Sequence, residues 1–167
     1  MHDRVEGPFD EQGGEKSGWR LIHAPKLAEM LASRGRATYI TNMHKKRILF
    51  IDDEDLLREV IYEMLTEMDY EVKVEETGAE AIKTVTEHPE QFDLVLTDLL
   101  MLDMTGDEIA EKIRSIRPDL PVVVMTGTPQ NLPPGKAAKA GVCKVLPKPL
   151  TKAELSEGIR GALSNHC

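Results

Sequence analysis

The sequence predicts an α/β fold: a doubly wound sheet of five parallel strands in the order 2-1-3-4-5, with helices on both faces. After residue 46, short apolar runs alternate with helical patterns five times, as successive βα units require. The runs "RILFI", "FDLVLT" and "PVVVM" are continuously apolar, which is typical of strands buried on both faces. In contrast, "YEVKVE" alternates polar and apolar residues, which indicates a half-exposed strand at the sheet edge.

The first three helices are predicted from the spacing of apolar residues. We expect them at residues 55–68, 78–88 and 107–116. In the third, the isoleucines Ile109, Ile113 and Ile116 are expected to face inward. In the first, seven apolar residues are expected on one face: Leu56, Leu57, Val60, Ile61, Met64, Leu65 and Met68.

The last two helices flank the predicted strand "VCKVL". The fourth is expected to be short, at residues 136–140, because two prolines and a glycine precede it in "NLPPGK". The fifth is expected at residues 151–163. Thr151 and, three residues later, Glu154 form the pattern of a capping box at its start.

The composition changes near Met43 and divides the chain into two parts. Residues 43–167 are predicted as the folded domain. Residues 1–42 are predicted as an N-terminal extension that is partly disordered, since its first part is polar and rich in glycine. Apolar residues at helical spacing predict a short helix within it, near residues 25–34.

Charge and apolar patterning exclude several classes of protein. The net charge of -8 argues against a nucleic-acid surface and against binding to an anionic membrane. Every apolar run is too short to span a bilayer, and the N-terminus lacks the layout of a secretory signal. Cys143 and Cys167 are too few for a disulfide framework, so we expect reduced thiols and a cytoplasmic protein.

Polar residues occur at or just after the ends of four predicted strands. Asp52 and Asp53 follow the first strand, Asp98 the third, Thr126 the fourth and Lys148 the fifth. The carboxyl ends of parallel strands meet at one edge of the sheet, where ligands bind next to a reversal of strand order. Carboxylates that lie close together resist ionisation when no cation is bound between them. Mg2+ prefers oxygen ligands, so it could bind between them. The pattern therefore predicts a cluster of converging carboxylates at this edge, which a bound dication would stabilise.

At these residues the sequence resembles the receiver domain of two-component response regulators, a flavodoxin-like fold, over about residues 46–165. The resemblance rests on "FIDDE", "LTDLLMLDMTG", "VVVMTG" and "LPKP". It implies that Asp98 is the phosphoacceptor, that Thr126 contacts the phosphoryl group and that Lys148 pairs with it. It also implies the ligands of Mg2+: Asp52, Asp53, Asp98 and the backbone carbonyl of Leu100.

The resemblance further implies the partners. The phosphoryl donor would be a sensor histidine kinase or a histidine phosphotransfer protein, and the output would pass to a downstream protein. Such a receiver catalyses only its own phosphotransfer and dephosphorylation, so it is not an enzyme in the usual sense. No pattern of a second globular domain follows residue 165, and we expect a stand-alone receiver. The peptide bond before Pro149 is expected to be cis.

The sequence departs from the family pattern near the expected switch. Leu102 occupies a position that is usually proline, which removes no ligand. Val145 occupies the position of the usual aromatic switch residue, so readout through an aromatic rotamer is not expected.

Two other functions fit parts of the sequence. A phosphatase of the haloacid-dehalogenase type could use the Asp53-x-Asp55 pattern, but it needs a second acidic pair after the lysine, and the segment after Lys148 contains none. A phosphorylation-independent binding module on a receiver scaffold would be favoured by loss of an acidic residue or of the lysine. None of these is lost.

Overall fold

The computed structural model describes residues 45–164. Within this range, five parallel strands form one sheet in the order β2-β1-β3-β4-β5, which confirms the predicted fold. The strands are β1 Arg47–Ile51, β2 Glu71–Glu75, β3 Leu94–Asp98, β4 Val122–Thr126 and β5 Val142–Pro147. The helices are α1 Asp55–Glu67, α2 Gly78–Glu87, α3 Gly106–Ile116, α4 Pro134–Ala140 and α5 Lys152–Ser164.

Residues 1–42, with the helix predicted near 25–34, lie outside the described range. Among the helices that are described, none combines the length and apolarity needed to cross a membrane.

The sheet separates two apolar cores, as the continuous apolar strands predict. Helices α1 and α5 cover one face, where Ile61, Leu65, Leu155 and Ile159 pack against Phe50 and Leu96. Helices α2, α3 and α4 cover the other, where residues such as Ala81, Ile109, Ile113 and Ala137 pack against Leu49 and Val124. Because the strands are parallel, the carboxyl ends of β1, β3, β4 and β5 lie at one edge of the sheet.

The apolar face predicted on α1 is only partly buried. Only Ile61 and Leu65 are fully buried, whereas Leu56 is 75% exposed and Val60 is 47% exposed. Seven apolar positions cover more of the helix circumference than a flat sheet can bury, so one side of the apolar surface faces solvent. Ile116, at the end of α3, is likewise 36% exposed rather than inward-facing.

Helix α4 begins two residues earlier than predicted. Pro134 occupies its first position, where a missing N–H costs no helical hydrogen bond, and Gly135 follows within the first turn. A single 3-10 turn, Pro129–Asn131, precedes it. The helix is nevertheless as short as expected, at 7 residues.

The loop before α5 follows the prediction. The peptide bond between Lys148 and Pro149 is cis. At the start of α5 the backbone N–H of Glu154 donates to the Thr151 hydroxyl at 3.3 Å, and the Thr151 N–H donates to the Glu154 carboxylate at 2.8 Å. This reciprocal pair is the predicted capping box.

Cys143 differs from the prediction. Its side chain is partly buried against the α1–α5 core, but the residue is disulfide-bonded, so the expectation of a reduced thiol was wrong. The number of cysteines excludes a disulfide framework without revealing whether two sulfur atoms meet in space.

Candidate functional site

The strand ends bring the predicted site residues together. Asp98 is the last residue of β3, and the N–H of the next residue, Leu99, donates to the Met125 carbonyl at 2.9 Å. Asp98 pairs with Met125 in the sheet register, so Thr126 ends β4 one residue past the position opposite Asp98. On the far side of β4, the Lys148 N–H donates to the Thr126 carbonyl at 2.7 Å, which fixes the lysine just past β5.

The Lys148 ammonium joins two of the carboxylates. Its Nζ lies 2.6 Å from Oδ1 of Asp98 and 3.5 Å from Oδ2 of Asp52. The side chains of Lys148 and Asp98 are 20% and 13% exposed, whereas that of Asp52 is 1% exposed. The ion pair between Lys148 and Asp98 is therefore only weakly screened by solvent, yet part of the Asp98 side chain is still accessible to solvent.

Burial raises the pKa of Asp52. Two favourable contacts oppose this effect: the Glu54 N–H donates to Oδ1 of Asp52 at 2.9 Å, and Lys148 lies beside Oδ2. The negative charge of Asp98 adds to the rise. The ionised form of Asp52 is therefore costly in the ion-free protein and would be favoured by a nearby cation.

Backbone N–H groups of the loop between β3 and α3 contact the carboxylates of Asp98 and Asp53. The Leu100 N–H donates to Oδ2 of Asp98 at 3.1 Å, and the Leu102 N–H donates to Oδ2 of Asp53 at 3.0 Å. The side chains of Leu100 and Leu102 point to solvent, with the residues 54% and 97% exposed. Asp53 therefore lies on the Asp98 side of the β1–α1 loop, as its proposed role requires.

Comparison with known proteins places this arrangement in a family. The family model described as response regulator receiver domain matches residues 48–160. The chain belongs to the response regulator receiver domain family.

Individual relatives agree with this result. The chain is 32% identical over 124 residues to the DNA-binding transcriptional regulator NtrC of Azospirillum brasilense, a match that covers 74% of this chain and 25% of the relative. The chain thus spans about a quarter of that curated relative's length. Among solved structures, a response regulator receiver domain protein from Clostridium thermocellum is 31% identical, with a TM-score of 0.66 over 71% of this chain and 94% of that one.

A second solved structure carries ligands. The response regulator TrrA from Thermotoga maritima, in complex with Mg2+ and BeF, is 30% identical with a TM-score of 0.62. The match covers 69% of this receiver and 96% of that chain.

In this receiver, the donor atoms suit a hard cation. The described residues contain no group of three or more His, Cys, Asp or Glu side chains placed to hold a metal. Mg2+, however, keeps several waters and is commonly held by only one or two carboxylates. Asp52, Asp53 and Asp98 bring carboxylate oxygens to one end of the sheet, and the charge on Asp52 is costly without a cation. Mg2+ prefers oxygen donors of this kind, so these residues fit the ion.

Thr126 and Thr128 lead from this receiver's site towards α4. The Thr126 side chain is buried, and its hydroxyl accepts the Thr128 N–H at 3.0 Å. The Thr128 hydroxyl in turn accepts an N–H of the Asn131 side chain at 3.1 Å, in the 3-10 turn before α4. These contacts link the end of β4 to the turn before α4.

Sequence reasoning missed Asp103 in the receiver's β3–α3 loop. Its Oδ2 accepts the Ala79 N–H at 3.0 Å, so it caps α2 from a distant segment. Partial burial acts to raise the pKa of Asp103, but hydrogen bonds from the N–H groups of Ala79 and Gly78 outweigh it and hold that pKa below its usual value. No local pattern marks this contact, because its two ends lie 24 residues apart.

Sequence reasoning also missed Arg58 in α1. Its guanidinium donates to the backbone carbonyl of Asp52 at 2.8 Å and contacts Asp55 and Glu76. The i,i+3 spacing of Asp55 and Arg58 was a signal for the ion pair, although not for the contact with Asp52.

Proposed function

We propose that this receiver accepts a phosphoryl group on Asp98 from a phosphorylated histidine of a protein partner, with Mg2+ bound beside it, as one step of a two-component phosphorelay. The observation that carries the proposal is the position of Lys148. Its ammonium lies 2.6 Å from the Asp98 carboxylate, where it can neutralise charge on a group transferred to that carboxylate.

The proposed transfer exchanges a phosphorus–nitrogen bond for a phosphorus–oxygen bond. A carboxylate oxygen of Asp98 attacks the phosphorus, the bond to the histidine nitrogen breaks, and the electron pair leaves with the imidazole, which then takes a proton. Lys148 is positioned to move from the carboxylate to a phosphoryl oxygen. Mg2+ would supply further charge neutralisation at the phosphoryl oxygens. Its proposed ligands are Asp52, Asp53, Asp98 and the Leu100 carbonyl.

We further propose that Thr126 reports phosphorylation to α4. Its hydroxyl can donate to a phosphoryl oxygen on the neighbouring Asp98 only after a shift of its side chain. Because Thr126, Thr128 and Asn131 are joined by hydrogen bonds, such a shift would be felt at the turn before α4. Val145 leaves no aromatic ring to carry the change, so this chain of polar contacts is the proposed readout.

The surface beside Asp98 supports a protein donor. Leu56 and Val60 on α1, together with Leu100 and Leu102 in the β3–α3 loop, expose large apolar side chains around the site. A mostly apolar cavity of about 480 Å³ lies alongside, between α1 and the β5–α5 loop, with Lys148 in its wall. Exposed apolar groups of this kind mark protein contacts. A helix that presents a histidine is the partner that this surface would receive.

A labelling experiment tests the proposed site. Purified protein is treated with acetyl phosphate and Mg2+, the adduct is trapped with borohydride, and the labelled residue is read by mass spectrometry. We expect a label on Asp98 that is lost in Asp98→Asn and kept in Asp69→Asn. Asp69 is a suitable control, because it is exposed and its left-handed backbone conformation, at φ 67°, tolerates asparagine. A label on Asp103, or no label on the wild type, would contradict the proposal.

A second experiment tests the donor surface. Leu56→Ser should slow transfer from a phosphorylated histidine protein, while labelling by acetyl phosphate stays at the wild-type rate. Equal effects on both donors would mean that Leu56 supports the fold and not docking.

The remaining features of the proposal concern cellular context. We propose a cytoplasmic receiver that turns over no separate substrate and whose acidic surface makes no contact with nucleic acid. The stand-alone organisation stays a prediction, since NtrC extends well beyond the matched region. The mass of the native protein in a cell extract, detected with an antibody to the receiver, tests it.

A further inference from the structure

We infer that Arg58 is a positioning residue of the magnesium site, because it fixes the backbone that carries Asp52 and Asp53. This inference rests on the proposed function and assigns a role to a residue outside the proposed ligand set.

The contacts of Arg58 all lie at the acidic end of the sheet. One guanidinium nitrogen, Nη1, donates to the Asp52 carbonyl oxygen at 2.8 Å. The second terminal nitrogen, Nη2, contacts the Asp55 carboxylate and lies 3.1 Å from Oε1 of Glu76. The Arg58 side chain is only 15% exposed, whereas those of Asp55 and Glu76 are 88% and 71% exposed. The planar guanidinium thus ties the β1–α1 loop to the end of β2.

The carbonyl that Arg58 holds belongs to the peptide unit between the two acidic residues. Rotation of that peptide unit would change the direction in which Asp53 leaves the backbone. The Asp53 side chain is fixed from the other side by the Leu102 N–H. Asp52 is fixed by the Glu54 N–H on its carboxylate. Arg58 supplies the remaining constraint, so that neither carboxylate has to reorganise when a cation binds.

Charge and position predict opposite effects for Arg58. A cation close to a magnesium site repels the ion, so a purely electrostatic role means that removal of Arg58 tightens Mg2+ binding. A positioning role means that removal weakens binding, since residues that orient metal ligands typically contribute about 10–100-fold in affinity. The sign of the change in affinity therefore separates the two roles.

The contacts also explain the acidic residues that follow the site. Asp55 and Glu76 face solvent and pair with Arg58, so they serve as its counter-ions. Two carboxylates beside one guanidinium leave a net negative charge, which offsets the repulsion between Arg58 and a bound cation.

The test measures Mg2+ affinity by isothermal titration calorimetry on the full chain. We expect Arg58→Gln to weaken binding about tenfold. Arg58→Lys should lie between Arg58→Gln and the wild type, because one ammonium can reach the carbonyl but cannot replace the two-sided fork. Glu76→Gln is the matched control: it removes an outer partner, leaves the contact with Asp52 intact and should change affinity less than Arg58→Gln does.

Unfolding temperatures without Mg2+ are measured for each variant. A folded Arg58→Gln protein with unchanged or tighter Mg2+ binding overturns the positioning role while leaving the proposed function intact. Absence of Mg2+ binding by the wild type overturns both.

Discussion

A single methyl group added at Gly106 should directly disturb Asp98, the proposed phosphoacceptor. A Cβ built there lies 2.4 Å from the backbone oxygen of Asp98 and 3.2 Å from the Leu99 Cα. Carbon–oxygen contacts normally stay beyond about 3.3 Å, so Gly106→Ala must open the gap by about 1 Å. The obstacle is backbone that belongs to β3, and it cannot swing aside as a side chain can.

Two effects of Gly106→Ala follow from this geometry. Overpacking in a tight site typically costs about 1–3 kcal/mol, and we expect the upper end because backbone has to move. A displacement of about 1 Å at a reacting group can cost about a hundredfold in rate, so phosphorylation of Asp98 by acetyl phosphate should fall by about that factor.

Gly127→Ala is the matched control for Gly106→Ala. Gly127 follows Thr126 at the same edge of the sheet, but a Cβ there meets nothing within 4 Å. Urea denaturation should show Gly106→Ala destabilised and Gly127→Ala within about 0.5 kcal/mol of the wild type. If the two variants unfold at the same urea concentration, the reasoning from the close contact is wrong. If Gly106→Ala is destabilised but is labelled at the wild-type rate, the inferred effect on Asp98 is wrong.

Three further predictions concern charge and water at the site. Burial raises the pKa of Asp52, so ionised Asp52 destabilises the fold above that raised pKa, and the cost disappears below the unfolded value of about 3.9. Asp52→Asn should therefore raise the urea midpoint without Mg2+ at neutral pH but not near pH 3; a lower midpoint at neutral pH would refute this. The pKa of Asp103 is lowered, so its stabilisation is present at neutral pH and lost as pH falls below about 4. Asp103→Asn should reduce the fall in the urea midpoint at acid pH. An unchanged dependence of the midpoint on pH would contradict the capping role. Leu100 offers no hydrogen bond to orient a hydrolytic water, so phosphorylated protein freed of donor should lose its phosphoryl group slowly. The loss should be faster in Leu100→Asn and Leu100→Glu, and Leu100→Ala should accelerate it less than these two variants do. Decay of the wild type within seconds, or slower decay in the polar variants, would count against this.

Much of the fold could be predicted because apolar patterning and burial agree along the sheet. Continuous apolar strands identify the interior, and the alternating β2 identifies an edge, while the resemblance to receiver domains supplied the full strand order. Polar residues at the ends of strands then have to meet. This is why Asp98, Thr126 and Lys148 were found without the structure.

Two kinds of feature could not be predicted: which apolar side chains of a helix face solvent, and which side chains contact the backbone of another segment. The apolar residues of α1 outnumber those the sheet can bury, and the sequence does not say which of them face solvent; Leu56 and Val60 do. Arg58 and Asp103 act on backbone groups of other segments, and side-chain to backbone contacts leave no pattern of residue types. The start of α4 at Pro134 was missed because proline stops a helix everywhere except in its first turn.

Under the proposed function, the site around Lys148 would couple Mg2+ binding to the lifetime of the protein. Asp52, Asp98 and Lys148 follow three strands that are far apart along the chain, so no short fragment can assemble the site. A ligand that binds only the folded chain stabilises it, by about 2.7 kcal/mol at a hundred times its Kd. Proteases act mainly on the opened chain, and this stabilisation lowers the population of the opened chain about a hundredfold. Under the proposed function, the Mg2+-bound receiver would therefore be degraded more slowly than the ion-free receiver, so that the supply of Mg2+ would affect the amount of protein as well as its activity.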